Sequence, residues 1–165
     1  MAEALTRRTA LERLGAVGVA VATGALHRPA RAGAQAASPT LGLQESVQDG
    51  LKRVFGGRPM KDGASLIKLD VPLIAENGAV VPVSVEVSSP MTPQSYIKSI
   101  YVVADRNRIP IVTKVALSPE SGKAYMGANI RLGETGDVRA IVEQSDGTLW
   151  QITREVKVTV GGCGG

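Results

Sequence analysis

The chain of 165 residues has one cysteine, one histidine, one phenylalanine, one tryptophan and three tyrosines, and each scarcity removes a class of function. A single cysteine, Cys163, leaves no partner for an internal disulfide. The single histidine, His27, lies in an N-terminal stretch laid out as a secretory signal. A chain that sheds this stretch has no imidazole, which excludes Ser-His-Asp and Cys-His catalysis and ordinary zinc sites on inventory. Clustered positive charge is missing as well. Five of the nineteen Lys and Arg and two of the fifteen Asp and Glu fall in residues 1–36, leaving fourteen cations against thirteen anions in the body. Such a body lacks the cationic surplus that displaces counterions from nucleic acid. No carboxylate cluster has metal-ligand spacing and no glycine-rich phosphate loop opens a helix, so no cofactor is expected. With aromatic residues at 3%, the core must rely on Val, Ile and Leu, and Trp150 reads as a packing residue.

What is present begins with the signal. Thr6-Arg7-Arg8-Thr9-Ala10-Leu11 precedes an uncharged, Ala/Gly/Val-rich stretch from Leu14 to Leu26, and Ala34-Gln35-Ala36 offers small residues for cleavage. Thirteen residues are too few to span a bilayer, which needs about 20. The paired Arg7 and Arg8 resemble a twin-arginine export signal. Thr6 and Leu11 match its pattern, while Ala10 and Glu12 depart from it and leave a Sec signal as the alternative route. Residues 1–36 are therefore expected to be a cleaved signal peptide, and residues 37–42 a linker. No cysteine follows the apolar stretch, which excludes a lipoprotein anchor.

The body spans residues 43–160. Leu43, Val47, Leu51, Val54 and Phe55 recur at helical spacing, and Gly56-Gly57 then Pro59 end the pattern, predicting one short amphipathic helix that covers an edge of the domain or packs on a partner. The period then changes to two. Ile67 to Leu73 and Val81 to Val87 alternate around the turn signal Asn77-Gly78 and predict an antiparallel pair. Pro82 marks the second run as an edge or a bulge, because proline cannot donate to a ladder. Five more runs follow: Tyr96 to Ala104, Ile109 to Leu117, Ala124 to Leu132, Val138 to Gln144 and Leu149 to Val160. Seven short strands at regular spacing, with no further helix signal, predict an all-β, seven-stranded immunoglobulin-like sandwich. Asp105, Arg106 and Arg108 read as a solvated turn.

The last strand runs into Gly161-Gly162-Cys163-Gly164-Gly165. Glycine loses the most conformational freedom on ordering, so this composition predicts a swinging arm, five residues of which reach roughly 17 Å. Flanking glycines supply no apolar anchor for the sulfur, so Cys163 reads as the functional thiol. An unperturbed thiol has a pKa of about 8.5, and activation would have to come from a partner's site.

With leader, strands and tail in place, the chain resembles the SoxY family, the sulfur-carrier subunits of the periplasmic Sox sulfur-oxidation system. The resemblance covers nearly the whole chain, and the terminal Gly-Gly-Cys-Gly-Gly is its specific part. It implies a periplasmic carrier without catalytic apparatus of its own, on which Cys163 holds covalent sulfur intermediates as a cysteine S-thiosulfonate or persulfide. It also implies a heterodimer with SoxZ, transient contacts with the c-type cytochrome SoxAX and the manganese thiosulfohydrolase SoxB, and in some pathways with the sulfane dehydrogenase SoxCD. Neither nucleic acid nor stable membrane association is implied.

Two other readings account for a lone thiol. A secreted immunoglobulin-like binding module would use Cys163 for an intermolecular disulfide, although four glycines make a poor staple. A ubiquitin-like or thiocarboxylate carrier would also end in Gly-Gly, but an export leader and seven strands do not suit that small cytosolic fold. For the partner surface, the edge reading of Pro82 suggests that Val81, Val83 and Val85 share an apolar face with the second subunit.

Overall fold

The structure, a computed structural model, describes residues 44–161; the leader, the linker and residues 162–165 lie outside it. Helix α1 (Val47–Phe55) begins where the Ser46 side chain accepts the Asp49 N–H, and ends where Gly56 adopts the left-handed conformation (φ 62°) and returns its N–H to Lys52. These are the two chemical solutions to unpaired helix ends, a short polar cap and a residue without a Cβ. Glu45, just before the cap, and Arg53, in the last turn, form a bidentate ion pair at 2.7 and 2.8 Å.

Nine strands follow: β1 (Met60–Asp62), β2 (Ile67–Asp70), β3 (Ile74–Ala75), β4 (Val81–Val87), β5 (Ile97–Ala104), β6 (Ile111–Ala116), β7 (Ala124–Ile130), β8 (Gly136–Gln144) and β9 (Leu149–Val158). Seven of them correspond to the seven predicted runs. The two additions, β1 and β3, are two or three residues long and pair parallel to β9, too short to show any period in the sequence. A 3-10 turn at Pro119–Ser121 falls between β6 and β7. The larger sheet runs β1-β9-β8-β5-β6, with β3 also on β9, and the smaller runs β2-β4-β7. The fold is an immunoglobulin-like all-β sandwich, and β2 and β4 form the antiparallel pair expected of them.

The inner faces meet in a core of small aliphatic side chains: Val81, Val83, Val85 and Val87 from β4, Ile100 and Val102 from β5, and Val138, Ala140 and Val142 from β8. This overturns the suggestion that Val81, Val83 and Val85 face a second subunit, since all three are at most 3% exposed inside their own domain. The proline explains itself differently too. Strand β4 is the middle strand of its sheet, but β2 ends at Asp70, opposite Ser84, so Pro82 has a ladder partner only in β7, at Asn129. The missing N–H therefore sits where the strand is locally an edge.

Strand β5 is buried on both sides, every residue except Lys98, because α1 forms a third layer. Phe55 packs edge-on against Tyr101 at 4.9 Å between ring centroids, and together with Val103, Ile141 and Leu149 they make a second small core under the helix. The helix thus covers a sheet face rather than an edge. Trp150 is half buried against the main core, its indole N–H 3.3 Å from the Gln144 carboxamide oxygen, consistent with packing.

Candidate functional site

The described residues that bear most directly on the thiol are those from which the tail departs. Strand β9 pairs with β8 as far as Val156, opposite Gly136. Past that point it is held by other means. Strand β3 lies beside Lys157 and Val158, the Lys157 N–H donates to Leu73 O at 3.0 Å, and the Thr159 N–H donates to Ala75 O at 3.1 Å. The Thr159 hydroxyl donates to Glu76 O at 2.8 Å. From the other side, the Thr135 hydroxyl accepts the Val158 N–H at 2.9 Å and reaches Val158 O at 3.4 Å.

Gly78 joins the two sides. Its N–H donates to Val160 O at 2.7 Å and its carbonyl accepts the Leu132 N–H at 2.7 Å. The Asn77 side chain supports this bend by accepting the Ala79 N–H at 2.8 Å, the turn expected of Asn-Gly. The 131–135 turn is fixed from within by Asn107, 9% exposed. Its Nδ2 donates to Arg131 O at 2.7 Å and its Oδ1 accepts the Gly133 N–H at 3.1 Å. Gly161 then lies against that turn: a Cβ added there would stand 2.3 Å from Gly133 O. Gly161 therefore has a spatial reason to be glycine, separate from freedom of motion. Leu73, Ile74, Val80 and Val160, around the same strand end, are exposed.

Of the other residues proposed from the sequence, Cys163, Gly162, Gly164, Gly165, Arg7 and Arg8 lie outside the described residues. Asn107, Thr135 and Thr159 were not singled out from the sequence, and no motif marks them; their roles come from backbone groups distant in the chain. The turn at 105–108 is more engaged than a solvated loop. Asp105 accepts from Arg139 Nε at 2.8 Å and 3.1 Å with a further short contact from Nη2. Hydrogen bonding to Asp105 raises the Arg139 pKa, which burial opposes and Asp137 reinforces. A buried carboxylate, Glu143, accepts from Arg58 Nη1 at 3.0 Å. Arg58 also reaches Gly147 O at 3.2 Å and Phe55 O at 3.2 Å, tying the helix end to the β8–β9 turn.

Among the described residues no three or more His, Cys, Asp or Glu side chains gather as a metal site, and no helix is long and apolar enough to cross a membrane. A shallow depression of about 620 Å³ on the outer face of the smaller sheet is lined by Asp70, Pro72, Ser84, Tyr125 and Asn129 among others. None of its lining residues belongs to the end of β9.

Comparison with known proteins gives a family match and a fold match. The family model described as sulfur oxidation protein SoxY matches residues 51–163, more than half of the chain. A solved structure of the sulfur carrier protein SoxY from Chlorobium limicola f thiosulfatophilum is 30% identical, with a TM-score of 0.58, covering 70% of this chain and 97% of that one. A superoxide reductase (neelaredoxin) variant from Ignicoccus hospitalis is 21% identical with a TM-score of 0.51, covering 56% of this chain and 79% of that one. A putative superoxide reductase from Thermotoga maritima is 16% identical at the same TM-score, covering 61% and 92%. The latter two are likenesses of fold alone. No curated protein matches the sequence.

Proposed function

The chain belongs to the SoxY family of sulfur oxidation proteins, and from that membership we propose that it is a sulfur carrier of the Sox system, holding its cargo covalently on Cys163. The observation that carries this reading is the extent of the family match, which ends on Cys163 itself. The order of the chain supports it. Strand β9 ends at Val158, and three residues separate it from the Gly162-Cys163-Gly164-Gly165 that closes the sequence.

The chemistry needs a thiol and a partner. In the loading step the Cys163 S–H and a thiosulfate sulfane sulfur lose one proton and two electrons as the S–S bond forms, giving a cysteine S-thiosulfonate; a c-type cytochrome (SoxAX) accepts the electrons. In the unloading step water attacks the terminal sulfonate sulfur. Sulfate leaves, and the bridging sulfur stays on Cys163 as a persulfide; the hydrolysis belongs to a manganese enzyme (SoxB) and further oxidation to SoxCD where that is present. This chain provides the anchor, Cys163, on an arm of Gly162, Gly164 and Gly165 that starts from Gly161. It acts in the periplasm after export directed by Arg7 and Arg8, in a heterodimer with SoxZ.

Intact mass of the protein purified from the periplasm, with thiosulfate supplied, tests the reading. Reductant-labile sulfur or thiosulfonate additions that map to Cys163 and vanish in Cys163→Ser are the expected result. A species of twice the chain mass that collapses to free thiol, with no sulfur adducts, would establish a disulfide link instead.

A further inference from the structure

We propose that residues 131–135 and 76–78 form a fixed collar around the end of β9, with Asn107 and Thr135 as its positioning residues, and that the collar sets the point from which the thiol is presented. The inference rests on the carrier reading, since only a carrier has a use for a defined point of departure.

Between Val156, the last residue paired with β8, and Gly161, β8 no longer holds the chain. The hydrogen bonds of Lys157 to Leu73, Thr159 to Ala75 and Gly78 to Val160 do so, together with the Thr135 and Thr159 hydroxyls. Both halves of this arrangement are linked through Leu132 N–H to Gly78 O. Asn107 is the internal brace. A nearly buried carboxamide that satisfies both its donor and its acceptor on the backbone of one turn removes that turn's freedom to open. The Gly133 carbonyl it places is the atom against which Gly161 rests.

The consequence is a matter of length. With the collar closed, two residue steps separate the last held residue, Gly161, from Cys163; with it open, β3 still holds Thr159 through Ala75, and four steps separate Thr159 from Cys163. Effective concentration at a docked partner falls roughly as the −3/2 power of tether length, so lengthening from two steps to four lowers it about threefold. The thiol's intrinsic chemistry is untouched by this change.

The test uses the full mature protein in its native complex, with Asn107→Ala and Thr135→Val as disrupting variants and Thr135→Ser as the conservative one. Should Asn107→Ala fail to fold, Thr135→Val, which removes one exposed hydroxyl, suffices. Amide exchange at Gly78 and Val158 should quicken about tenfold while that of Thr159, Val102 and Val142 stays unchanged. Alkylation of Cys163 by iodoacetamide should keep its rate. The KM of the sulfur-loading partner for the carrier should rise about threefold at constant kcat, and Thr135→Ser should restore both exchange and KM. Faster exchange with an unchanged KM would overturn the collar's role, and so would a general loss of protection in which KM and kcat change together. Absence of sulfur adducts on wild-type Cys163 would instead overturn the carrier reading and take the collar's purpose with it.

Discussion

Removing the Phe55 ring should release α1 from the sandwich without unfolding the sandwich. The ring is 2% exposed, stands edge-on to Tyr101 at 4.9 Å, and is the only fully buried side chain the helix contributes; Val47, Leu51 and Val54 are partly buried around it. Truncating a buried phenylalanine costs about 3–5 kcal/mol, including the cavity left when neighbours do not collapse. A nine-residue helix has almost no stability of its own in water. The loss in Phe55→Ala is therefore capped at whatever free energy docks the helix, because once the helix leaves, no further contact remains to lose. If the docking energy is near the lower figure, about 3 kcal/mol, the melting temperature falls by roughly 10 °C for a domain of this size. Amide exchange resolved by residue is the decisive assay. Amides of 51–56 should exchange nearly as in a free peptide while those of β5 and β8 remain protected, and adduct loading on Cys163 should persist. Retained protection across α1 in Phe55→Ala would refute the reasoning, since it would mean that the partly buried residues and the Glu45 and Arg58 contacts dock the helix without the ring.

Two further outcomes follow from local geometry. In Gly161→Ala the new Cβ must move from 2.3 Å to at least about 3.4 Å from Gly133 O, which strains the adjacent Val160-to-Gly78 hydrogen bond; a loss of about 1 kcal/mol and selectively faster exchange of the Gly78 amide are expected, and an unchanged Gly78 amide would count against the contact. Glu45 has its pKa lowered by hydrogen bonding from Arg53, and Asp146 by the N–H and hydroxyl of Thr148; the stability each confers is complete above the ordinary carboxylate range and is lost as pH falls through the lowered folded-state value. Glu45→Gln combined with Asp146→Asn should flatten that acid-side decline in melting temperature, and a slope equal to wild type would show that other carboxylates govern it.

Most of the fold was legible because it is written in period two. Val81 to Val87 announces a strand by its alternation, and Asn77-Gly78 places a turn where a turn occurs. What escaped notice lacks a periodic signal. The double burial of β5 makes Ile97 to Ala104 nearly continuous in apolar character, which shows burial without saying what covers the second face; the cover is a helix that the sequence also displays, but the pairing of Phe55 with Tyr101 spans elements that no local pattern connects. Pro82 was read as an edge marker, and that holds residue by residue though not for the strand, because β2 stops short of it. The step from there to a partner-facing valine stripe failed: an alternating strand has one buried face whichever body buries it, and here the domain's own core does.

The candidate site divides along the same line. Cys163 and its glycines stand out in the sequence because composition by itself limits what such a segment can do, and all but Gly161 lie outside the described residues. The end of β9 is not, because its parts are a carboxamide at 107, hydroxyls at 135 and 159 and a backbone bridge at 78, brought together only by the sandwich topology. Gly161 belongs to both descriptions. In the sequence it is one of four equivalent glycines, each arguing for conformational freedom; in the fold it touches the Gly133 carbonyl, and its missing side chain is a matter of space. A carrier thiol would benefit from both, since a tether that begins at a fixed point and is short beyond it concentrates the sulfur where a partner can meet it, while one that began at Thr159 would dilute it. The same residue type can serve the holding of a tail and its release, and only its neighbours tell which.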